Sequence, residues 1–297
     1  MSGSPPTAGT LPISAVIITH NESRRLPATL ASVDLCAERL VVDSGSNDGT
    51  VEIAHASGAR VEHQPFLGYG PQKRRAVELA AHDWILSIDA DEMLDDEARS
   101  AVAAADLADP AACYAFRRRT YIGPREIRHG AWRNQRVLRL FNRTTAGFLP
   151  LPVHERVVTG RRPAMLAGSI VHRSYTDCAD VVARALRYAP LKAGLLRDRR
   201  PRPRAWMLPL RGLAAFLQSY AVRGGWRDGG AGFVVAVCRV LDSTLPRALL
   251  IEEATAAADD ATGIGERSPS DGPPRPLQGD SRGPRANAPR EPDAPHA

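Results

Sequence analysis

Between Ile13 and Ala105, short apolar runs alternate with stretches in which apolar residues recur every three or four positions. The runs "ISAVIIT" (13–19), "RLVVD" (39–43), "ARVEH" (59–63) and "WILSID" (84–89) have strand length, and each ends in a polar or glycine-bearing turn. The segments between them, 23–33, 50–58 and 71–82, carry helical periodicity. The third has Pro71 near its first turn, where a missing amide proton costs little. This alternation predicts an α/β fold with a mostly parallel, Rossmann-like sheet. Beyond Cys113 the pattern becomes extended and arginine-rich, in "CYAFRRRTYIG", "RVLRLFNR", "VHERVV" and "GSIVHRSY". Helical periodicity returns at about Asp177. From Ala261 onward, thirteen of 37 residues are Pro or Gly and none is aromatic, the composition of a disordered tail. The expected division is an α/β domain over 11–175, a basic helical region over 176–257 and a tail over 258–297.

In open parallel sheets, ligands bind beyond the carboxyl ends of the strands, at a switch in strand order. Three polar clusters hold that position: "THNES" after the first strand, "DSGSNDGT" after the second and "DADE" after the fourth. One pocket built from three loops is the economical expectation.

Composition sharpens the picture. A chain of 297 residues, 43% of them apolar, can bury a sizeable core. Its formal net charge of +6 makes the acidic stretch "WILSIDADEML" stand out, because Asp89, Asp91 and Glu92 end an apolar run in a basic protein. Cys36, Cys113, Cys178 and Cys238 are widely spaced and form no CxxC pair, so neither a zinc site nor a disulfide framework is expected, and a reduced, cytoplasmic setting is. The first residues lack the basic and apolar regions of a secretory signal, and no run of about 18 apolar residues predicts a spanning helix. From Arg184 to Arg227 there are eleven Lys or Arg and one acid, Asp198. The stretch "RAWMLPLRGLAAFLQSYAVRGGW" (204–226) suits a peripheral membrane interface, and equally a helical subdomain with a basic outer face. Basicity also raises the rival of an RNA-binding protein. With 5% aromatic residues and no recognisable RNA-binding motif, no nucleic-acid partner is expected.

At a strand end the chain turns, so Asp89 and Asp91 can approach one cation together. Hard oxygen ligands favour Mg²⁺ or Mn²⁺, ions that usually share their coordination with substrate phosphates. An acidic turn capping the helix "DDEARSAVAAA" accounts for the same residues. In "DSGSNDGT" the glycines and side-chain caps also suit an ordinary strand-to-helix turn, and in "THNES" Asn21 and Glu22 suit a helix cap. Lys73, Arg74 and Arg75 open a helix, where amides and basic side chains can hold a diphosphate or simply form a solvated face. In "VHERV", Glu155 is a candidate general base and His154 a candidate metal ligand, with a structural role open for both. His172 in "IVHRSY" has the same ambiguity.

Taken together, "ISAVIITHNES", "RLVVDSGSNDGT", "GYGPQKRRA", "WILSIDADE" and "VHERV" stand in the order seen in inverting family 2 glycosyltransferases of the GT-A fold. The chain resembles most the branch that includes the lipopolysaccharide core β-1,4-glucosyltransferases. The resemblance implies that Thr19, Asn21 and Glu22 border the nucleotide pocket, that Asp43 contacts the uracil or its ribose, and that Lys73 lies near the diphosphate. It implies that Asp89 and Asp91 form a DxD motif holding a divalent cation and the sugar nucleotide, and that Glu155 is the catalytic base. Many relatives carry Asp at that last position, and Arg74 stands where a smaller amide residue is the family pattern. The implied reaction moves a hexose, glucose being the expected one, from a UDP-sugar to a lipid-linked or lipopolysaccharide acceptor at the cytoplasmic face of the inner membrane. A polyprenyl-phosphate or other envelope glycosyltransferase of the same fold is the alternative. A phosphatase using DxD chemistry would want Thr two positions after the second Asp, where this chain has Met93.

Overall fold

The structure, a computed structural model, describes residues 10–149, 156–197 and 203–262. The chain falls into a main unit ending at Ala254 and a second unit starting at Thr255, whose described part is the last turns of one helix.

The first part alternates as the pattern predicts: β1 (Leu11–Thr19), α1 (Leu26–Ser32), β2 (Cys36–Asp43), α2 (Thr50–Ala56), β3 (Arg60–His63), α3 (Tyr69–Leu79) and β4 (Trp84–Ser87). Then come β5 (Glu92–Leu94), α4 (Asp96–Ala103), β6 (Cys113–Ile122), β7 (Arg125–Ile127), β8 (Gln135–Asn142), β9 (Ala146–Phe148), β10 (Val157–Thr159) and β11 (Ala164–Tyr175). Three helices follow: α5 (Cys178–Leu196), α6 (Met207–Leu217) and α7 (Gly229–Thr262). The main sheet runs β3-β2-β1-β4-β8-β6-β11-β5, with β7 beside β6, while β9 and β10 form a separate pair. Strands β1 to β4 are parallel, β11 is parallel to β6, and β8 and β5 are antiparallel to their neighbours.

From β1 the chain steps to β2 and β3 on one side, then returns to place β4 on the other. The strand order therefore reverses between β1 and β4, and a crevice opens beyond their carboxyl ends. The period-2 alternation of β1 explains the layers. Ile13, Ala15 and Ile17 pack with Leu26 and Leu30 of α1, whereas Val16 packs with Ala76 and Val77 of α3 on the opposite face. A third cluster, including Ile122, Ile127, Val181 and Val235, seats α5 and α7 against the β6–β7 end of the sheet.

The apolar run expected to be one strand over 84–89 ends at Ser87. The chain then turns, and Glu92–Leu94 pairs antiparallel with β11. Three residues have no readable periodicity, so β5 arises from its distant partner and not from local pattern. The helix after it is capped by Asp95, whose Oδ1 accepts from Ala98 N at 2.9 Å and from Ser169 N at 3.0 Å. Gly168, at φ +75°, lies against this cap. A Cβ there would fall well inside contact distance of the Ala98 backbone, where nothing can swing away. Gly168→Ala is therefore expected to lower stability by more than about 1–2 kcal/mol, the cost of the left-handed conformation alone. Urea unfolding of both proteins checks this.

Candidate functional site

A cleft of about 930 Å³ opens beyond the carboxyl ends of β1 and β4. Its walls carry Thr19, His20 and Glu22 from the loop after β1, Ser44 after β2, Tyr69 and Lys73 from α3, Asp89 and Asp91 after β4, Arg118 of β6, Arg139 of β8, His172 and Ser174 of β11, and Arg184, Tyr188 and Lys192 of α5. Three loops that are far apart in sequence thus meet at one place, as the pattern of strand ends predicts.

The turn after Ser87 gives the two aspartates different neighbours. Asp89, with its side chain 27% exposed, is gripped from both sides: Lys73 Nζ lies 2.7 Å from Oδ1 and Arg139 donates to Oδ2 at 2.8 Å. Burial raises its pKa, but Arg139 and Lys73 outweigh burial and hold the carboxyl far below the usual carboxylate range. The same Arg139 donates to Glu92 Oε1 at 2.7 Å, and Arg118 stands 3.4 Å from that atom, so the fully buried Glu92 sits between two guanidinium groups. Asp91 has a softer setting. Its Oδ2 accepts from Ser174 Oγ and lies 3.5 Å from His172 Nε2, while Ser174 Oγ and His172 Nε2 are 2.7 Å apart. Burial and the Asp89 charge raise the Asp91 pKa. His172 and Ser174 more than offset them, so the group is a carboxylate at neutral pH.

Thr19 Oγ1 and His172 Nδ1, in residues that line the cleft, are buried without a hydrogen-bond partner among the described residues. Buried polar groups are seldom left so. The donor set fits a divalent cation. Asp91 offers an ionised oxygen, the donor type that suits Mn²⁺ or Mg²⁺ with further oxygens supplied by phosphate and water, and the His172 imidazole stands beside it. No group of three or more His, Cys, Asp or Glu forms a metal cage among the described residues.

The sequence-predicted residues separate into three groups. Thr19, Glu22, Lys73, Asp89 and Asp91 line the cleft. Burial pushes the Glu22 carboxyl up, against Arg25 at 2.9 Å. Asn21 and Asp43 hold the loops together. Asp43 Oδ2 accepts from Gly45 N at 2.8 Å and Ser46 N at 2.9 Å, and Asp43 is almost fully buried. Asn21, at φ 56°, donates its amide to Ser46 Oγ at 2.8 Å and accepts from Asn47 N at 2.9 Å. Glu22 N and Ser23 N bond to Thr50 Oγ1 and Asp48 Oδ2 across the same gap. His154 and Glu155 lie outside the described residues. The imidazole beside Asp91 is that of His172.

Sequence reasoning overlooked Arg139, Ser174 and the α5 residues. An arginine flanked by Leu138 and Leu140 in "RVLRLFNR" was the available signal, since a cation buried within an apolar strand needs an anion.

A charged cleft at the switch point of an α/β sheet is the place where proteins of this architecture bind their ligands. The comparisons narrow this. Residues 14–161 match the family described as Glycosyl transferase family 2. The lipopolysaccharide core biosynthesis glycosyltransferase LpsC of Rhizobium meliloti is 33% identical over 235 residues, 76% of this chain and 87% of that protein. An uncharacterized glycosyltransferase of Rickettsia typhi is 31% identical over 239 residues, 76% of this chain and 82% of that one. The chain belongs to glycosyltransferase family 2. Among solved structures, glucosyl-3-phosphoglycerate synthase of Mycobacterium tuberculosis in complex with Mn²⁺, UDP and glucosyl-3-phosphoglycerate aligns with a TM-score of 0.30 at 27% identity. That alignment spans 38% of this chain and 45% of that one, a likeness too slight to bear on substrate.

Proposed function

We propose that this glycosyltransferase moves a hexose, with glucose as the first candidate, from a UDP-sugar to a membrane-held envelope glycan such as the lipopolysaccharide core, with inversion at the anomeric carbon. The observation that carries the proposal is the ionised Asp91 beside His172, set in a polar cleft next to the Lys73–Asp89–Arg139 cluster. The similarity to LpsC over most of both chains supports the acceptor class.

Asp91 and His172 are the residues that would hold a divalent cation, which when bound neutralises charge on the departing diphosphate. Lys73 and Arg139 hold Asp89 ionised and fixed, so the turn carrying Asp91 keeps its shape. Thr19 is assigned to the wall of the donor pocket. An acceptor hydroxyl is a weak nucleophile at neutral pH, so a carboxylate must take its proton as it attacks, and Glu155 is assigned that role. Residues 11–175 carry this chemistry, and the helices that follow hold the enzyme at the cytoplasmic face of the inner membrane.

The test is transfer from labelled UDP-glucose and other UDP-hexoses to extracted lipopolysaccharide acceptors. Glu155→Gln is expected to retain donor affinity and lose about 10²–10⁴-fold in turnover, the usual worth of a general base. Unchanged turnover would move the base role to another carboxylate, and activity with a non-uridine donor alone would overturn the assignment of the nucleotide.

A further inference from the structure

Helix α6 wears its apolar side outward. Trp206 at its start and Leu210, Leu213 and Leu217 within it recur at intervals of four, three and four, and so share one face. Trp206 is 64% exposed, Leu210 62% and Leu213 58%. The opposite face is the packed one: a Cβ on Gly212 would come within 3.2 Å of Val240 and 3.5 Å of Thr244 in α7. A shallow apolar trough of about 540 Å³ runs between the two helices, lined by Leu208, Leu213, Phe216, Leu241 and Leu245 among others. After α6, Val222, 80% exposed, and the exposed Trp226 add to the apolar surface.

Cations flank it along the chain. Arg204, Arg211, Arg223 and Arg227 are exposed, and none makes an ion pair among the described residues. From 203 to 227 the chain contains no Asp or Glu. Such a surface costs free energy in water and is answered by a partner that is apolar within and anionic at its boundary. Two copies meeting through this face would bring like charges together with no carboxylate between them. No helix among the described residues is long and apolar enough to cross a membrane.

We propose that α6 and the turns after it dock on an anionic lipid surface, with the helix in the headgroup plane. The leucines enter the acyl boundary, Trp206 and Trp226 sit at headgroup level, and the arginines extend their stems over apolar surface to reach lipid phosphates. The docking face rests on the proposed membrane-held acceptor for its purpose. Its test does not depend on transfer activity.

The experiment is flotation of the full chain with vesicles of phosphatidylcholine alone and of phosphatidylcholine mixed with phosphatidylglycerol, with calorimetric UDP binding measured on the same preparations. The wild type is expected to float with the mixed vesicles, to be released by high salt and to float poorly with pure phosphatidylcholine. A Leu210→Ser, Leu213→Ser double variant and an Arg211→Gln, Arg223→Gln double variant should each lower partition by about tenfold or more, with UDP binding unchanged. No flotation of the wild type, or equal flotation of the variants, would overturn the proposal. So would a wild-type dimer that the leucine variant converts to monomer, since it would give the face to a second copy. Vesicle binding without UDP binding by the wild type would uphold this face and reject the sugar-nucleotide reading.

Discussion

Asp91→Ala is expected to weaken metal-dependent UDP binding by more than about a hundredfold and to leave the fold intact. Even groups that merely orient a metal ligand are worth about 10- to 100-fold, and Asp91 is assigned as the ligand itself. The fold survives because the partners Asp91 leaves behind still satisfy one another: Ser174 Oγ and His172 Nε2 are already 2.7 Å apart. Unfolding free energy should stay within about 1 kcal/mol of the parent. Thermal unfolding and calorimetry on one preparation separate the two effects. A large loss of stability would make Asp91 a structural anchor, and near-normal metal-dependent binding would remove it from the cation site.

Arg139→Leu should behave in the opposite way, lowering stability by about 3–5 kcal/mol, because removing one member of a buried ion pair strands the other. Glu92 is fully buried, and Arg118 at 3.4 Å would be its remaining cation. Asp89 would keep Lys73 at 2.7 Å, so most of the cost falls on Glu92. A chain of this size loses roughly 2–4 °C of Tm per kcal/mol, so a fall of about 10 °C is expected. Adding Glu92→Leu should recover most of it, since apolar replacement of a whole buried pair is often neutral. A double variant as unstable as the single one would show that Arg139 acts through Asp89 or through packing.

The two aspartates show what a sequence can and cannot say. The acidic run invited two readings, a cation site and a helix cap, and local pattern does not choose between them. The structure divides the run: Asp95 accepts the helix amide at 2.9 Å, leaving Asp89 and Asp91 to the cleft. The parallel strands β1 to β4 were legible because buried strands between amphipathic helices leave a plain pattern in the order of residues. Arg139 was not, because its partners Asp89 and Glu92 lie 50 and 47 residues away, one in the turn after β4 and the other on β5. His172 was seen as ambiguous for the same reason, since its nearness to Asp91 depends on β11 folding back beside β5. Asn21 and Asp43 illustrate the reverse case. The resemblance assigns both to the nucleotide pocket, and their side chains also bind the loop that shapes it, a contribution visible only once donors and acceptors are matched.

The central claim is a cleft that takes a uridine diphosphate together with a divalent cation. Calorimetric titration of the protein with UDP, in the presence and absence of Mn²⁺, tests it most directly. The account predicts binding that appears with Mn²⁺ and is lost on chelation. No binding under either condition, or equal affinity with and without the metal, would contradict it.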